Sequence, residues 1–311
     1  MRIIITGAGG FLGRTLVEQL ADHDVVALDS VADGIPKLAH ATPVTGDLCD
    51  VNSLQAAMAD GCDAVVHLAT VPGGAAEQNP DLARRVNIEA TMALAAAAAE
   101  AGKPPRFLFA SSIAVFGSPL PARVDDATPL APTMLYGAHK AMLEQWLATL
   151  TRRGALDALS LRLSGVIARP KGPSGMKSAF LSDVFHALSA GESFVMPVSP
   201  KATTWLTSLD CAAANFAHAL SADLGEAPAD RALTLPTLRV QVADLVAEIC
   251  RQTGAPIEAV SYAPDAALEA GFGALPPVST IAADRLGFTH DGDLQQLVQR
   301  ALENLKAAAA L

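Results

Sequence analysis

Short apolar runs closed by turn residues recur along this chain: RIIITG at its start, DVVALDS ending at Ser30, DAVVHLAT ending at Thr70, RFLFASS ending at Ser112 and LSLRLSGVIA ending at Ala168. Each is apolar throughout instead of alternating, the pattern of strands covered on both faces. Segments of helical period separate them, namely GRTLVEQLAD, VNSLQAAMADG, VNIEATMALAAAAAEAG and LYGAHKAMLEQW from Leu135 to Trp146. Strand and helix in alternation predict an α/β fold around a doubly wound parallel sheet. Such a sheet binds its ligands at the carboxyl ends of the strands.

The texture changes after Arg169. RPKGPSGMKSA reads as a loop leaving the sheet, and AFLSDVFHALSAGE as a helix. TTWLTSLDCAAANFAHAL reads as a strand and helix returning to the main sheet, and VQVADLVAEICRQTG as a helix closed by Gly254. The predicted division is a cofactor-binding domain over residues 1–170, rejoined by 203–235. Residues 171–202 and 236–311 form a smaller C-terminal α/β substrate domain.

A chain of 311 residues exceeds what one hydrophobic core serves, and 51% hydrophobic with 17% charged residues describes a well-buried globular protein. The formal charge of −10 argues against nucleic acid or an anionic membrane as partner. No apolar run reaches the roughly 18 residues of a membrane span. The opening MRIIITGAGG is already a strand and turn, so the expected compartment is the cytoplasm. Cys49, Cys62, Cys211 and Cys250 lie far apart without a C-x-x-C pair and read as reduced thiols. No metal site is expected; His67 reads as a buried strand residue, His186 and His218 as packed or surface residues.

IIITGAGGFLG places Gly7, Gly10 and Gly13 between a strand and a helix, with Leu12 where G-x-G-x-x-G requires its last glycine. Glycines allow the tight turn and the approach of backbone to a pyrophosphate, which the helix N-terminus attracts. Asp29 ends the second strand, placed either to accept the adenosine ribose hydroxyls or to serve as a turn residue. No Arg or Lys follows it until Lys37, which favours NAD over NADP. The sheet is therefore expected to be Rossmann-type.

Tyr136, one of two tyrosines, stands four residues before Lys140 on one helical face. Tyrosine titrates near 10 in isolation, and a cation beside the phenol lowers that value toward a usable base. Ser111 and Ser112 at a strand end offer a donor for the substrate oxygen. The same helix carries Leu135, Met142, Leu143 and Trp146 at helical spacing, so Met142 and Trp146 are expected to pack while Tyr136 and Lys140 react.

TGAGGFLG, GDL at Gly46–Leu48, HLAT at His67–Thr70, VNIEAT from Val86, SSIAVFG from Ser111, YGAHK and RLGF together resemble an extended short-chain dehydrogenase/reductase. This is the NAD-dependent epimerase/dehydratase group. The resemblance implies Tyr136 as catalytic acid/base, Lys140 as the residue that tunes it and binds the nicotinamide ribose, and Ser112 as the holder of the reacting oxygen. It implies cofactor contacts at Gly7, Gly10, Phe11, Leu12, Gly13 and Asp29, with Asp47 and Leu48 around the adenine. Leu68 and Ala69 fall beside the phosphates and ribose, and Asn87 is a structural or cofactor contact. A homodimer through the Y-x-x-x-K helix is also implied.

Nucleotide-sugar enzymes of this group usually carry Asn and Tyr-Gly-Pro after the sixth strand and an Arg before the segment reading here TWLTSLD. This chain has RLSGVIARP, Thr203 at the Arg position, and Phe116 in place of the Tyr of VYG. A narrower similarity, to the D-erythronate dehydrogenase subfamily, runs through RVNIEATMALAAAAAEAGKPPRFLFASSIAVFGSPLP, RRG, LRLSGVIARP and PVSPKATTWL, with Ser164 in place of that subfamily's usual Pro and Thr203 near where it too tends to carry an Arg. It implies NAD-linked oxidation of a secondary alcohol on a small sugar acid. The alternatives are a nucleotide-sugar epimerase/dehydratase and a non-catalytic NAD-binding protein. A carboxylate substrate needs a cation, for which Arg169, Lys171, Lys177 and Lys201 are candidates and Arg169 the first choice. Gly73 and Gly74 of VPGGAA leave room for substrate beside Ser112.

Overall fold

A computed structural model describes residues 1–100, 103–171 and 177–309. The centre of the predicted RPKGPSGMKSA loop (172–176), the end of the VNIEATMALAAAAAEAG helix (101–102) and the last two residues lie outside the described residues. The strands are β1 (Arg2–Thr6), β2 (Asp24–Asp29), β3 (Ala41–Thr45), β4 (Ala64–His67), β5 (Arg106–Ser112), β6 (Asp157–Leu163), β7 (Gly165–Val166), β8 (Phe194–Met196), β9 (Thr203–Thr207), β10 (Ala232–Thr234), β11 (Leu238–Gln241) and β12 (Val260–Tyr262).

Seven of them form the main sheet in the order β10-β6-β5-β4-β1-β2-β3, with every neighbouring pair parallel. Strand β1 lies between β2 and β4, so the winding reverses there and the chain leaves β1 and β4 toward opposite faces. The continuous apolar strands follow from burial on both sides. Ile3 and Ile5 of β1 face a core with Leu16, Val17, Leu108, Leu159 and Phe216, while Ile4 faces Leu94, Phe107, Phe109, Leu143 and Leu147 on the other side.

Strand β3 was not evident in the sequence because Pro43 interrupts ATPVT. It sits at the sheet edge, paired only with β2, where a missing N–H is tolerated. The segment expected to return to the main sheet does so in part. Strand β9 pairs instead with β7 and, antiparallel, with β11 in a separate three-stranded sheet. Its anchor is Trp205, buried with Val115, Phe116, Val124 and Leu275 and donating Nε1–H to the Pro276 carbonyl at 2.7 Å. The following helix, Leu209–Ala219, packs Ala213 and Phe216 beside Leu16 and Val17 of the Phe11–Gln19 helix, and β10 then adds the seventh strand beside β6.

A further core joins Phe180, Val184, Phe185, Met196, Val198, Leu245, Ile249, Leu297 and Val298. It gathers the helices Phe180–Ser189, Val242–Thr253 and Leu294–Ala309 around the short β8–β12 pair. No helix among the described residues is long and apolar enough to cross a membrane.

Candidate active site

Three loops converge at the carboxyl end of the main sheet. After β1 the chain turns at Gly7 with φ +71°, and the Gly10 N–H donates to the Gly7 carbonyl at 3.0 Å. A side chain on Gly13 would collide with the Gly7 carbonyl oxygen, and one on Gly7 would stand 2.8 Å from the Ala69 nitrogen. The helix Phe11–Gln19 therefore starts flush against the turn, with Gly10 as an N-cap that makes no side-chain bond. Its opening amides, at Phe11, Leu12 and Gly13, are the ones an α-helix leaves without internal acceptors. This cradle of backbone donors fits a pyrophosphate.

Asp29 holds the turn from the side. Its Oδ2 accepts the Gly9 N–H at 2.9 Å and its Oδ1 the Val31 N–H at 3.0 Å, so the turn role is met in this state. The Gly46 N–H donates to the Asp29 carbonyl at 2.9 Å and brings the Asp47–Leu48 loop alongside. Asp47 accepts the Cys49 N–H at 2.9 Å, whereas the Leu48 side chain lies in the core with Leu28 and Leu54. Only the backbone of Leu48 is placed to meet a ligand. Asn87, buried in a π-helical turn over Arg84–Glu89, bonds Val71 through both amide atoms and accepts from the Thr70 hydroxyl. It fixes the loop after β4, in a type of bulge that clusters at functional sites.

The second cluster joins β5 to the Leu135–Arg152 helix. Ser112 ends β5, accepts the Ala114 N–H at 3.2 Å and hydrogen-bonds the Tyr136 phenol. Lys140 is buried, its ammonium 4.5 Å from the Phe109 ring centroid and 5.5 Å from that of Tyr136. Burial pushes its pKa down to about 7, against the opposing pull of Glu144. Burial raises the phenol of Tyr136, while the Arg169 guanidinium and then the Ser112 bond lower it. Arg169 thus acts on the phenol as a cation, in addition to the Lys140 expected from the sequence, whose ammonium lies over the same ring.

Arg169 is placed by a strained turn. Ala168 adopts φ +59°, a conformation uncommon without glycine, and the Arg169 carbonyl accepts a bond from His186 Nε2 at 2.6 Å. Its own Nε donates to the Val166 carbonyl at 2.9 Å. His186, read from sequence as a packing or surface residue, anchors this loop. Ser178 and the buried Ser182 line a small cavity beside Arg169, and nothing in the periodicity of AFLSDVFHALS singles them out.

Gly73 opens a short helix against the Leu135–Arg152 helix: a side chain there would lie 3.3 Å from Met134 Cε and 4.0 Å from the Tyr136 ring. Gly74 follows on the same turn. Glu77 of that helix accepts the Leu135 N–H at 2.6 Å, tying the two together. Ser112, Tyr136, Lys140, Arg169 and Gly73 therefore meet at one place. Lys171, Lys177 and Lys201 are exposed on the surrounding loops.

One expectation changes. Met142 and Trp146 do not pack within the chain; they are 45% and 39% exposed. The inward face of their helix carries His139, Lys140, Leu143, Glu144 and Leu147 instead. His67 is buried, bonded to the hydroxyls of Thr6 and Thr91, and held at a pKa of about 3 by burial and then by the charge of Lys140.

Residues 3–230 match the NAD dependent epimerase/dehydratase family. The chain belongs to that family. It is an NAD-dependent enzyme of the extended short-chain dehydrogenase/reductase type. The D-erythronate dehydrogenase of Cupriavidus necator is 33% identical over 319 residues, covering 98% of both chains. That of Haemophilus influenzae is 30% identical over 97% of this chain and 99% of its own. A crystal structure described as a nucleoside-diphosphate-sugar epimerase from Agrobacterium tumefaciens superposes with a TM-score of 0.90 at 27% identity, over 99% of this chain and 95% of that one.

The burial of Lys140 in this family member has a thermodynamic consequence. Its pKa falls from 10.5 to about 7 on folding. Between those values the unfolded chain holds a proton that the folded chain has released, so stability rises with pH across that window. The advantage of Lys140→Met over the parent is expected to be largest below pH 7 and to shrink toward pH 10.5. Urea unfolding across the window measures it, and a gap that does not change with pH would contradict the buried ammonium.

Proposed function

We propose that this enzyme oxidises a secondary alcohol of a small sugar acid of the D-erythronate class, with NAD as oxidant. The observation that carries the reading is the Arg169 guanidinium acting on a phenol that is hydrogen-bonded to Ser112. A cation that acts on the proton-transfer group suits a substrate carboxylate near the reacting carbon. Two relatives aligned over nearly the whole chain carry the same activity in their names.

In this reading Ser112 and Tyr136 hold the substrate hydroxyl, and Tyr136 takes its proton. Lys140 sits one turn behind as the cofactor-side cation. Arg169 pairs with the carboxylate, Gly73 and Gly74 leave space for the carbon chain, and Lys177 adds positive charge at the rim. NAD, when bound, accepts the hydride. The amides of Phe11, Leu12 and Gly13, beside Gly7 and Gly10, hold its pyrophosphate, and Asp29 the adenosine ribose. Asp47 and the Leu48 backbone border the adenine; Leu68, Ala69 and the Asn87-clamped loop line the middle of the cleft.

The exposed Leu135, Met142 and Trp146 lie along the catalytic helix, an apolar stripe suited to a second copy of the chain. Four free thiols, two of them buried, support a reducing compartment, the cytoplasm.

Growth of NADH absorbance with one member of a panel of four- to six-carbon sugar acids is the primary test. Silence across the panel, with isomerisation of a nucleotide sugar, would overturn the reading. Tyr136→Phe is expected to lower turnover by about 10²–10⁴-fold with NAD affinity within a few-fold. Arg169→Met is expected to raise KM for the acid by about 10–100-fold. Because Arg169 lowers the phenol pKa, that variant should also move the limb of kcat/KM set by the phenol to higher pH. An unchanged KM would remove Arg169 from the substrate site. Light scattering should report a dimer for the parent and a monomer for Trp146→Glu; a monomeric parent refutes the stripe as an interface.

A further inference from the structure

One turn beyond Lys140 the catalytic helix buries a second charge. Glu144 has no exposed surface. Its Oε1 accepts from Ser111 Oγ at 2.5 Å and from Arg162 Nε at 2.9 Å, and its Oε2 accepts from Arg162 Nη2 at 2.7 Å. Ser111 and Arg162 are register partners across β5 and β6, so one carboxylate joins both strands to the helix. Ser111 directly precedes Ser112.

A buried ion pair gains little over apolar residues of the same volume, so its presence does not follow from stability. What this one does is fix a distance and a charge. We infer that Glu144 is a positioning residue for the reaction: it locks the Ser112 end of β5 against the helix that carries Tyr136, and it sets a buried negative charge one turn from Lys140. The inference rests on the acid/base reading given above.

The groups around Lys140 leave that role to Glu144. Tyr136 and His139 face it from its own helix and His67 from β4, while Arg162 on β6 bonds Glu144. His67 is uncharged at neutral pH, Arg162 is a cation, and Asp230 stands on the outer side of Arg162, 3.8 Å from Nη2 and 41% exposed. Glu144 is the anion that opposes the burial of the ammonium. Removing it leaves Lys140 and Arg162 as two buried cations sharing one region.

Glu144→Gln keeps the shape and removes the charge. The Lys140 titration, followed in cofactor-free protein by NMR of ¹³Cε-labelled lysine, should move below its parental value by about one unit or more. With the sugar acid as substrate, the limb of kcat/KM set by Lys140 should fall by the same amount, while NAD affinity stays within about threefold. The double variant E144L/R162M removes both charges at once and should fold as the parent does. Its downward shift should be smaller than that of E144Q, because the Arg162 cation leaves together with the carboxylate. Ser111→Ala should lower kcat while leaving both KM values and the pH limbs in place. A parental Lys140 titration and parental limb in the folded E144Q or double variant would overturn the assignment, as would full kcat in Ser111→Ala. Tyr136→Phe separates the two ideas. Turnover surviving in that variant sinks the acid/base reading, whereas an inactive Tyr136→Phe beside an unshifted E144Q sinks only Glu144.

Discussion

A lysine ammonium carried into the interior of an α/β sandwich is the constraint around which the site is arranged. Removing a cation from water costs several kcal/mol even after relaxation. Lys140 meets that cost with the face of Phe109 and the carboxylate of Glu144. Glu144, itself buried, requires Arg162, and Arg162 lies over the Phe116 ring and reaches toward the partly exposed Asp230. Charges thus alternate from the catalytic helix through β6 to the surface. A neutral His67 behind Phe109 keeps a further positive charge away from the ammonium.

The sheet supplies the place where such an arrangement has a use. Both faces are covered, so only strand ends are open, and each functional loop follows one: Gly7 after β1, Asp29 at β2, Asp47 after β3, Leu68 and Ala69 after β4, Ser112 at β5 and Arg169 beyond β6. Contacts between neighbouring loops hold the mouth in shape. Gly7 lies against Ala69, Gly9 against Gly34, and Asp29 bonds the Gly9 amide. A side chain at Gly7 or Gly9 would force two of those loops apart, so the backbone cradle exists only because these positions are bare.

What could be read from the sequence followed from locality. The long apolar strands and the glycine turn announce themselves within a few residues, because burial on both faces removes the polar alternation. Short or interrupted strands do not: Pro43 hid β3, and three residues were too few to mark β10. Helical periodicity misled at Leu135–Arg152, where the rule that the apolar stripe faces inward was applied to Met142 and Trp146. The inward face there carries Lys140, Glu144 and His139, because the site needs charge inside. Contacts set by register and tertiary packing, such as Ser111 with Arg162 or Arg169 with Tyr136, leave no local signal. Residue class alone picked out Arg169 among four cations; the Ala168 turn that places it is visible only in three dimensions.

The position of Arg169 also bears on how a sugar acid differs from a neutral alcohol at this site. The guanidinium lowers the pKa of the phenol while nothing anionic competes for it. On the proposed reading, an incoming carboxylate partly neutralises that charge. Answering the guanidinium removes part of what lowers the phenol pKa, so the contact that would hold the acid group also makes the phenolate scarcer at neutral pH. On that reading Arg169 serves recognition of the carboxylate, and the proton-transfer work is left to Ser112 and Tyr136 with Lys140 beside them.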